Sequence, residues 1–263
     1  MKKLIPYIIG FVVLIGVLVA INPRYFQIFY SYIFNTKSVD EKNIVEDKKI
    51  VPVIQNKTIT DTDPLDKWKF TATYPVFDNT LGKKWSAINS QIEAEVQVIK
   101  LQKTGDVSSN ISPENAPADL RPFEITITSD ATTSEKFGTV SVLFTTFVEG
   151  GFLAHPFTNY ESHTFGLNDG AERSLKDLFT GVNFFSKLSD ISTLKLKDYY
   201  LSAGSADNSF LDKNDGLTGV DSNFSTFMLS GDNLILQFAE YQLGSRPYGA
   251  PRIEIPISSL TVN

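Results

Sequence analysis

The sequence predicts an α+β protein, in which a largely antiparallel sheet has helices packed on one face and is preceded by a single transmembrane helix. Three observations support this prediction. An uncharged run occupies residues 4–21, one segment carries apolar residues at helical spacing, and several segments alternate apolar with polar residues. The alternating segments come mainly in consecutive pairs, which favours antiparallel neighbours.

The uncharged run, Leu4–Ile21, would extend about 27 Å as a helix and so match the hydrocarbon core of a bilayer. Two lysines precede it and Arg24 follows it, a distribution that favours a cytoplasmic N-terminus. A cleaved signal peptide is the alternative, but such segments are usually shorter, and Leu18–Val19–Ala20 is a poor cleavage site. We expect residues 1–24 to form a single-pass anchor in the cell membrane, with the bulk of the chain extracytoplasmic.

Residues 25–66 begin with aromatic side chains and continue as a polar stretch, so we interpret them as a juxtamembrane segment and stalk, with a first strand near Ile50–Thr60. The remainder divides into an N-terminal strand-helix unit, residues 67–130, and a C-terminal domain, residues 131–263. The first unit opens with a strand from Trp68 to Tyr74, which Pro75 is expected to close.

The clearest helix in the sequence follows that strand. Its apolar residues recur three and four positions apart, which predicts one buried face. They are Leu81, Trp85, Ile88, Ile92, Val96 and Ile99. Residues 104–121 are rich in glycine, serine and proline and are interpreted as a loop.

The C-terminal half alternates between strand and helix signals. Strands are predicted at 123–128, 139–148, 157–167, 224–229, 234–241 and 252–257. Ser174 and Asp177 have the spacing of a capping box for a short helix. A second helix is indicated by Phe184, Leu188, Ile191 and Leu194, and a polar loop by residues 202–222. Pro256 suggests that the last strand lies at a sheet edge.

Composition excludes several classes of function. The chain has no cysteine, so thiol catalysis and thiolate metal sites are ruled out. Residues 36–263 carry 21 basic and 30 acidic side chains, and this acidity argues against binding to nucleic acid. It is compatible either with a cationic partner or with ordinary solubility.

No catalytic, metal or cofactor pattern is evident. His155 and His163 lack the spacing of a helical zinc site, and both are interpreted as structural. The acidic residues Glu149, Glu161 and Asp169, like Asp177, show no sign of a paired acid and base. We therefore expect no cofactor and no enzymatic activity.

The loop Tyr241–Pro251 is the strongest candidate for ligand contact, because tyrosine and arginine are favoured at binding hot spots. The candidate contact residues are His155, Tyr241, Arg246 and Tyr248. A well-packed connection with tyrosine as an apolar plug is the alternative.

Several short motifs occur in a shared order. They are Tyr74–Pro75, Ile88–Asn89, Glu149–Pro156, Thr164–Gly170, Ser174–Phe179, Asn233–Tyr241 and Gly249–Pro256. Together they resemble the extracytoplasmic PdaC/RsiV-like domain family. That family comprises the region before the catalytic domain of a peptidoglycan deacetylase and the lysozyme-sensing part of an anti-sigma factor.

The resemblance implies a two-part ectodomain near peptidoglycan. We expect neither a sigma-factor-binding segment nor a deacetylase domain in this chain. The function it implies is a non-catalytic, membrane-anchored binding or sensing module of the cell envelope, with peptidoglycan or a cationic, lysozyme-like protein as ligand. The alternative is a cell-wall hydrolase or deacetylase with an unrecognised carboxylate site.

Overall fold

The computed structural model describes residues 54–110, 121–151, 153–204, 208–244 and 249–260. The predicted anchor and most of the predicted stalk lie outside the described residues. Within the described ranges, no helix is both long enough and apolar enough to cross a membrane.

Five strands form the larger sheet, sheet A, in the order β1-β2-β3-β4-β5. They are β1 (Ile54–Thr62), β2 (Trp68–Phe77), β3 (Phe123–Ser134), β4 (Thr139–Gly150) and β5 (Phe157–Gly166). β2 and β3 are parallel. A parallel pair requires a long crossover connection, and the helix α1 (Lys83–Asn110) lies in the connection between these strands. The other pairs are antiparallel. The predicted boundary between residues 130 and 131 falls inside β3.

Three antiparallel strands form the smaller sheet, sheet B, in the order β6-β7-β8. They are β6 (Phe227–Ser230), β7 (Asn233–Gln237) and β8 (Arg252–Pro256), and the helices of this half are α2 (Leu175–Leu178) and α3 (Phe184–Ser202). Short 3-10 turns span Asn79–Leu81, Ser209–Leu211, Asp215–Leu217, Asp221–Phe224 and Ile257–Ser259. β8 lies at a sheet edge, as Pro256 predicted.

The α+β class and the predominance of antiparallel pairs are confirmed, but the prediction of one sheet with helices on one face was wrong. Each sheet instead has its own hydrophobic core. α1 packs with sheet A in one core, and α2 and α3 pack with sheet B in the other. Period-2 alternation identifies strands but carries no information about which strands share a sheet.

The apolar stripe of α1 is confirmed. Trp85, Ile88, Ile92, Val96 and Ile99 are each at most 2% exposed and lie against sheet A. The helix is longer than predicted, since residues 104–110 are helical rather than part of a loop. In α3 the buried side recurs every four residues, at Phe184, Leu188, Ser192, Leu196 and Tyr200. Leu194, one of the residues that indicated this helix, is 64% exposed.

Pro75 does not end β2, which continues to Phe77. The pairing of β2 with β3 stops at Ala72, so Pro75 lies where β2 has only β1 beside it and a missing N–H is tolerated. Asn89 of α1 then fixes the end of β2. Its side-chain oxygen accepts a hydrogen bond from the Phe77 N–H at 2.8 Å, and its amide donates to the Phe77 carbonyl at 2.7 Å.

Sheet B docks on sheet A through side-chain hydroxyls. β6 pairs with β7 on one side only, and serine and threonine side chains of sheet A form hydrogen bonds with the backbone groups on its other side. Leu229 N donates to Ser141 Oγ at 3.0 Å and Phe227 N donates to Ser162 Oγ at 2.8 Å, while Thr132 Oγ1 donates to the Leu229 carbonyl at 2.9 Å. These contacts satisfy backbone groups that an edge strand would otherwise leave unpaired.

Candidate functional site

One face of sheet A remains open where sheet B does not cover it. Side chains of successive residues alternate between the two faces of a sheet, and on this sheet the apolar set faces α1. The opposite set is dominated by threonine. We call this surface the open face; its threonines are Thr58, Thr60, Thr71, Thr73, Thr126, Thr128, Thr145 and Thr158.

The strand register aligns these hydroxyls in rows that cross the whole sheet. One row, from β1 to β5, consists of Thr60, Thr71, Thr126, Phe147 and Thr158. In the next row Thr58 Oγ1 lies 3.0 Å from Thr73 Oγ1. Each hydroxyl has one donor and two acceptor sites, so the open face presents a flat array of groups able to bind a polar ligand.

Two half-buried aromatic residues interrupt the threonines, Phe147 of β4 and Tyr160 of β5. Tyr160 packs beside the small cluster formed by Leu143, Met228 and Ile235. Burial raises the pKa of Tyr160, and the nearby charge of Glu240 raises it further. An aromatic ring among hydroxyls offers an apolar contact within a polar surface.

The loop predicted to contact ligand leaves sheet B beside the open face. Glu240, which precedes this loop, lies close enough to influence Tyr160, and Arg252, which follows it, forms an ion pair with Asp130 of β3 at 3.2 Å. The base of the loop is held by Gln237, whose amide donates to the Ala250 carbonyl at 3.0 Å. Both ends of the loop therefore meet sheet A on its open side.

Tyr241 is the first candidate residue of that loop and is 52% exposed. Its backbone has φ +65°, a left-handed conformation that non-glycine residues rarely adopt and that is enriched at functional sites. Arg246 and Tyr248, the other two candidates in the loop, lie outside the described residues.

His155 is exposed in the connection between β4 and β5, and its Nδ1 lies 3.3 Å from the carbonyl of its neighbour Pro156. No contact joins it to Tyr241 in the described part of the chain. Gly150 and Gly151, at the start of this connection, both have positive φ. A Cβ on Gly150 would lie 2.5 Å from the Pro122 carbonyl oxygen, so the glycine pair is required by the backbone.

His163 lies on the other face of sheet A, beneath α1. Its side chain is 15% exposed, and its Nδ1 lies 2.7 Å from Glu172 Oε1. Its Nε2 lies 3.8 Å from Glu95 Oε2, an ion-pair distance, and the Glu95 side chain is 8% exposed. The ring stacks on Phe165, as expected for residues that share a strand face. Sequence reasoning missed both carboxylates; Glu172 lies just after β5, nine residues from His163, whereas Glu95 comes from α1.

Two of the acidic residues considered for acid–base chemistry, Asp169 and Asp177, have structural partners. Asp169 forms an ion pair with Arg173, and Asp177 accepts hydrogen bonds from the backbone N–H and hydroxyl of Ser174 at 2.8 and 2.7 Å. The bonds from Ser174 lower the pKa of Asp177. Glu149 faces Glu124 in the strand register. No group of three or more potential metal ligands occurs within the residues that the structure describes.

Comparison with known proteins gives a partial match to one family model and no match to a curated protein. Residues 176–258 match a family model described as "Protein of unknown function (DUF3298)". The matched segment contains α3 and all of sheet B.

Two solved structures share the fold. One, described as a DUF3298 family protein from Pseudomonas aeruginosa PAO1, has a TM-score of 0.55 at 10% identity and covers 81% of this chain and 94% of its own. The other, described as a DUF3298 family member from Bacteroides fragilis NCTC 9343, has a TM-score of 0.50 at 15% identity, with coverages of 79% and 91%. Both likenesses extend well beyond residues 176–258, so the shared fold includes sheet A.

The open face was not predicted from the sequence, although a signal existed. Threonine occurs at alternate positions in three strands, at Thr58 and Thr60, at Thr71 and Thr73, and at Thr126 and Thr128. Threonine at alternate positions predicts that one face of each strand is polar. Whether these faces form one surface depends on the order of the strands in the sheet.

Proposed function

We propose that this chain is a non-catalytic binding module of the cell envelope, which recognises the glycan of peptidoglycan on the open face of sheet A. The observation that carries the proposal is the array of threonine hydroxyls around Phe147 and Tyr160, bounded by the loop after β7. A glycan chain presents hydroxyl groups at its edges and apolar C–H groups on its ring faces. Hydroxyl side chains and partly exposed aromatic rings complement these two kinds of surface.

The proposed location rests on the sequence. The length of Leu4–Ile21 and the lysines before it support a single-pass membrane anchor with the described residues on the extracytoplasmic side. The ordered motifs that resemble the PdaC/RsiV-like family support a place near peptidoglycan. The acidity of residues 36–263 also suits a cationic, lysozyme-like protein, which we retain as the competing ligand.

Replacing Phe147 by alanine is expected to weaken binding to purified peptidoglycan about tenfold, because a few large side chains often contribute most of the binding energy of a surface. The full chain in lipid nanodiscs would be co-sedimented with insoluble peptidoglycan over a range of protein concentrations. Tyr199→Ala is the matched control, since Tyr199 is a 42% exposed aromatic residue on α3. Its binding should equal that of the unmodified chain.

The same assay includes the competing outcomes. Equal binding by Phe147→Ala and the unmodified chain would rule out the open face, and an absence of sedimentation would rule out the glycan as ligand. Salt-sensitive binding to lysozyme alone would replace the glycan with a cationic protein. Release of acetate or of cleaved glycan during the incubation would favour the hydrolase or deacetylase alternative.

A topology reporter tests the proposed location. An alkaline phosphatase fused after Asn263 is expected to be active in cells, because this enzyme folds only outside the cytoplasm, whereas a fluorescent protein that folds only inside should stay dark. Inserting two further lysines after Ile21 provides a control, since added positive charge beyond an anchor opposes export. Activity of the cytoplasmic reporter alone would refute the envelope location.

A further inference from the structure

β1 presents a long open edge. It is the first strand of sheet A, it pairs with β2 without interruption over nine residues, and eight of the nine are exposed. In the described ranges no strand pairs with its outer edge. An edge of this kind carries a row of backbone donors and acceptors that another strand can use.

Three common protections of an edge strand are missing from β1. Proteins commonly shorten such strands, insert proline, or introduce a bulge. β1 contains no proline, and its register with β2 has no bulge. What it does carry is one basic and one acidic residue, Lys57 and Asp61, which lie on the same side of the sheet because they are four residues apart.

These two charges select one way of pairing β1 with a copy of itself. When a strand pairs antiparallel with a copy of itself, the two-fold axis passes between the two copies of one residue. A residue that precedes this position in one copy then lies opposite the residue that follows it by the same number of positions in the other copy. An axis at Lys57 or at Asp61 would place like charges opposite each other. An axis at Ile59 places Lys57 of each copy opposite Asp61 of the other, so that the interface contains two pairs of opposite charge.

The helix α1 extends this charge pattern. Lys57 Nζ lies 2.7 Å from Glu93 Oε1, and Asp61 forms an ion pair with Lys100. Pairing at Ile59 would therefore produce a row of alternating charge across the interface, from Glu93 and Lys57 of one copy to Asp61 and Lys100 of the other. The Lys57 and Asp61 side chains are 45% and 47% exposed, so each has room for a second partner.

We propose that two copies of this chain associate through antiparallel pairing of β1, with the two-fold axis at Ile59. The pairing joins the two copies of sheet A into one ten-stranded sheet and makes their open faces continuous. The proposal does not depend on the ligand of the open face.

The absence of cysteine allows a direct test. Ile59→Cys would be introduced into the full chain in lipid nanodiscs or detergent, followed by mild oxidation. Residues directly opposite each other across antiparallel strands have Cβ atoms close enough for a disulfide or a short bifunctional maleimide. We expect most of the Ile59→Cys chain to become covalent dimer, against less than about a tenth for Leu101→Cys, which is 70% exposed on α1.

The register is tested with two further variants. Pairing at Ile59 places Thr58 opposite Thr60 of the second copy. A mixture of Thr58→Cys and Thr60→Cys should therefore cross-link more than either variant alone. Equal cross-linking of Ile59→Cys and Leu101→Cys, or a preference for Thr58→Cys alone, would overturn the proposal.

A charge exchange separates the dimer from contacts within one chain. Lys57→Asp or Asp61→Lys alone should raise the dimer dissociation constant about tenfold, because like charges then face each other across the axis. The double variant restores opposite charges between copies but leaves Glu93 and Lys100 with like-charged neighbours. Recovery of dimer in the double variant supports the proposal, and a further loss contradicts it. Thermal melting establishes that each variant is folded.

Discussion

Replacing His163 by leucine is expected to lower the free energy of unfolding by about 3 kcal/mol at a pH below about 6.5, where the imidazole is protonated. Leucine fills much of the volume of the imidazole but removes the positive charge that lies 3.8 Å from the Glu95 carboxylate, whose side chain is 8% exposed. Removing one member of a buried ion pair is costly because the remaining charge keeps its desolvation penalty. Urea unfolding followed by circular dichroism would measure the change.

Glu172→Gln is the matched control for His163. The Glu172 side chain is 53% exposed, so its carboxylate is largely solvated, and glutamine retains an oxygen that can accept a hydrogen bond from His163. The expected loss is below about 1 kcal/mol. A cost for His163→Leu no greater than that of this control would show that the Glu95 pair contributes little.

The effect of His163→Leu should also depend on pH. Burial lowers the pKa of His163, but the hydrogen bond that its ring donates to Glu172 and the charges of Glu172, Glu95 and Glu161 outweigh this effect and raise the pKa above its usual value. A raised pKa in the folded state stabilises the fold fully below the unfolded pKa, about 6.5, and this stabilisation is lost as pH rises through the folded pKa. The stability difference between the two proteins should shrink with rising pH. A difference that is constant from pH 6 to 9 would contradict this.

Replacing Ser141 by alanine is expected to lower the free energy of unfolding by about 2–4 kcal/mol. Ser141 is fully buried; its Oγ lies 2.8 Å from Thr164 Oγ1 and accepts the Leu229 N–H at 3.0 Å. Alanine would leave the Leu229 N–H and the Thr164 hydroxyl buried without these bonds, and each such loss costs about 1–3 kcal/mol. Chemical unfolding at one pH suffices to measure the effect.

Thr58→Val provides the comparison for Ser141. It also removes one member of a hydroxyl pair, with Thr73, but Thr58 is exposed and water can replace the lost bond. Its expected effect is within about 0.5 kcal/mol. Equal effects of Ser141→Ala and Thr58→Val would mean that the hydroxyl contacts between the sheets contribute little to stability.

Much of the fold could be predicted because its signals are local. The stripe from Trp85 to Ile99 reports one helix, and the alternation from Phe123 to Ile127 reports one strand, whatever those elements contact. The division into two sheets was not predictable, because it depends on long-range contacts such as that of Leu229 with Ser141. The continuation of β2 through Pro75 likewise depends on where β3 stops pairing with β2.

The candidate site was less accessible to sequence reasoning. Tyr241 was identified from residue type, and the structure adds its left-handed backbone and its position next to Glu240. The open face depends on the order of five strands, which no single segment encodes. His163 was interpreted as structural, but its partners Glu95 and Glu172 are separated from each other by 77 residues and could not be paired with it in advance.

The hydroxyl contacts at β6 determine which residues must accompany sheet B when this part of the chain is joined to another protein. The segment that matches the DUF3298 model contains β6, yet the hydroxyl groups that bond to the outer edge of β6 belong to Ser141, Ser162 and Thr132, which lie before residue 176. A fusion protein that contained only residues 176–258 would expose the edge of β6, together with Met228 and Ile235, and would be prone to aggregate. The smallest segment that keeps this edge covered is therefore longer than the segment that sequence comparison detects.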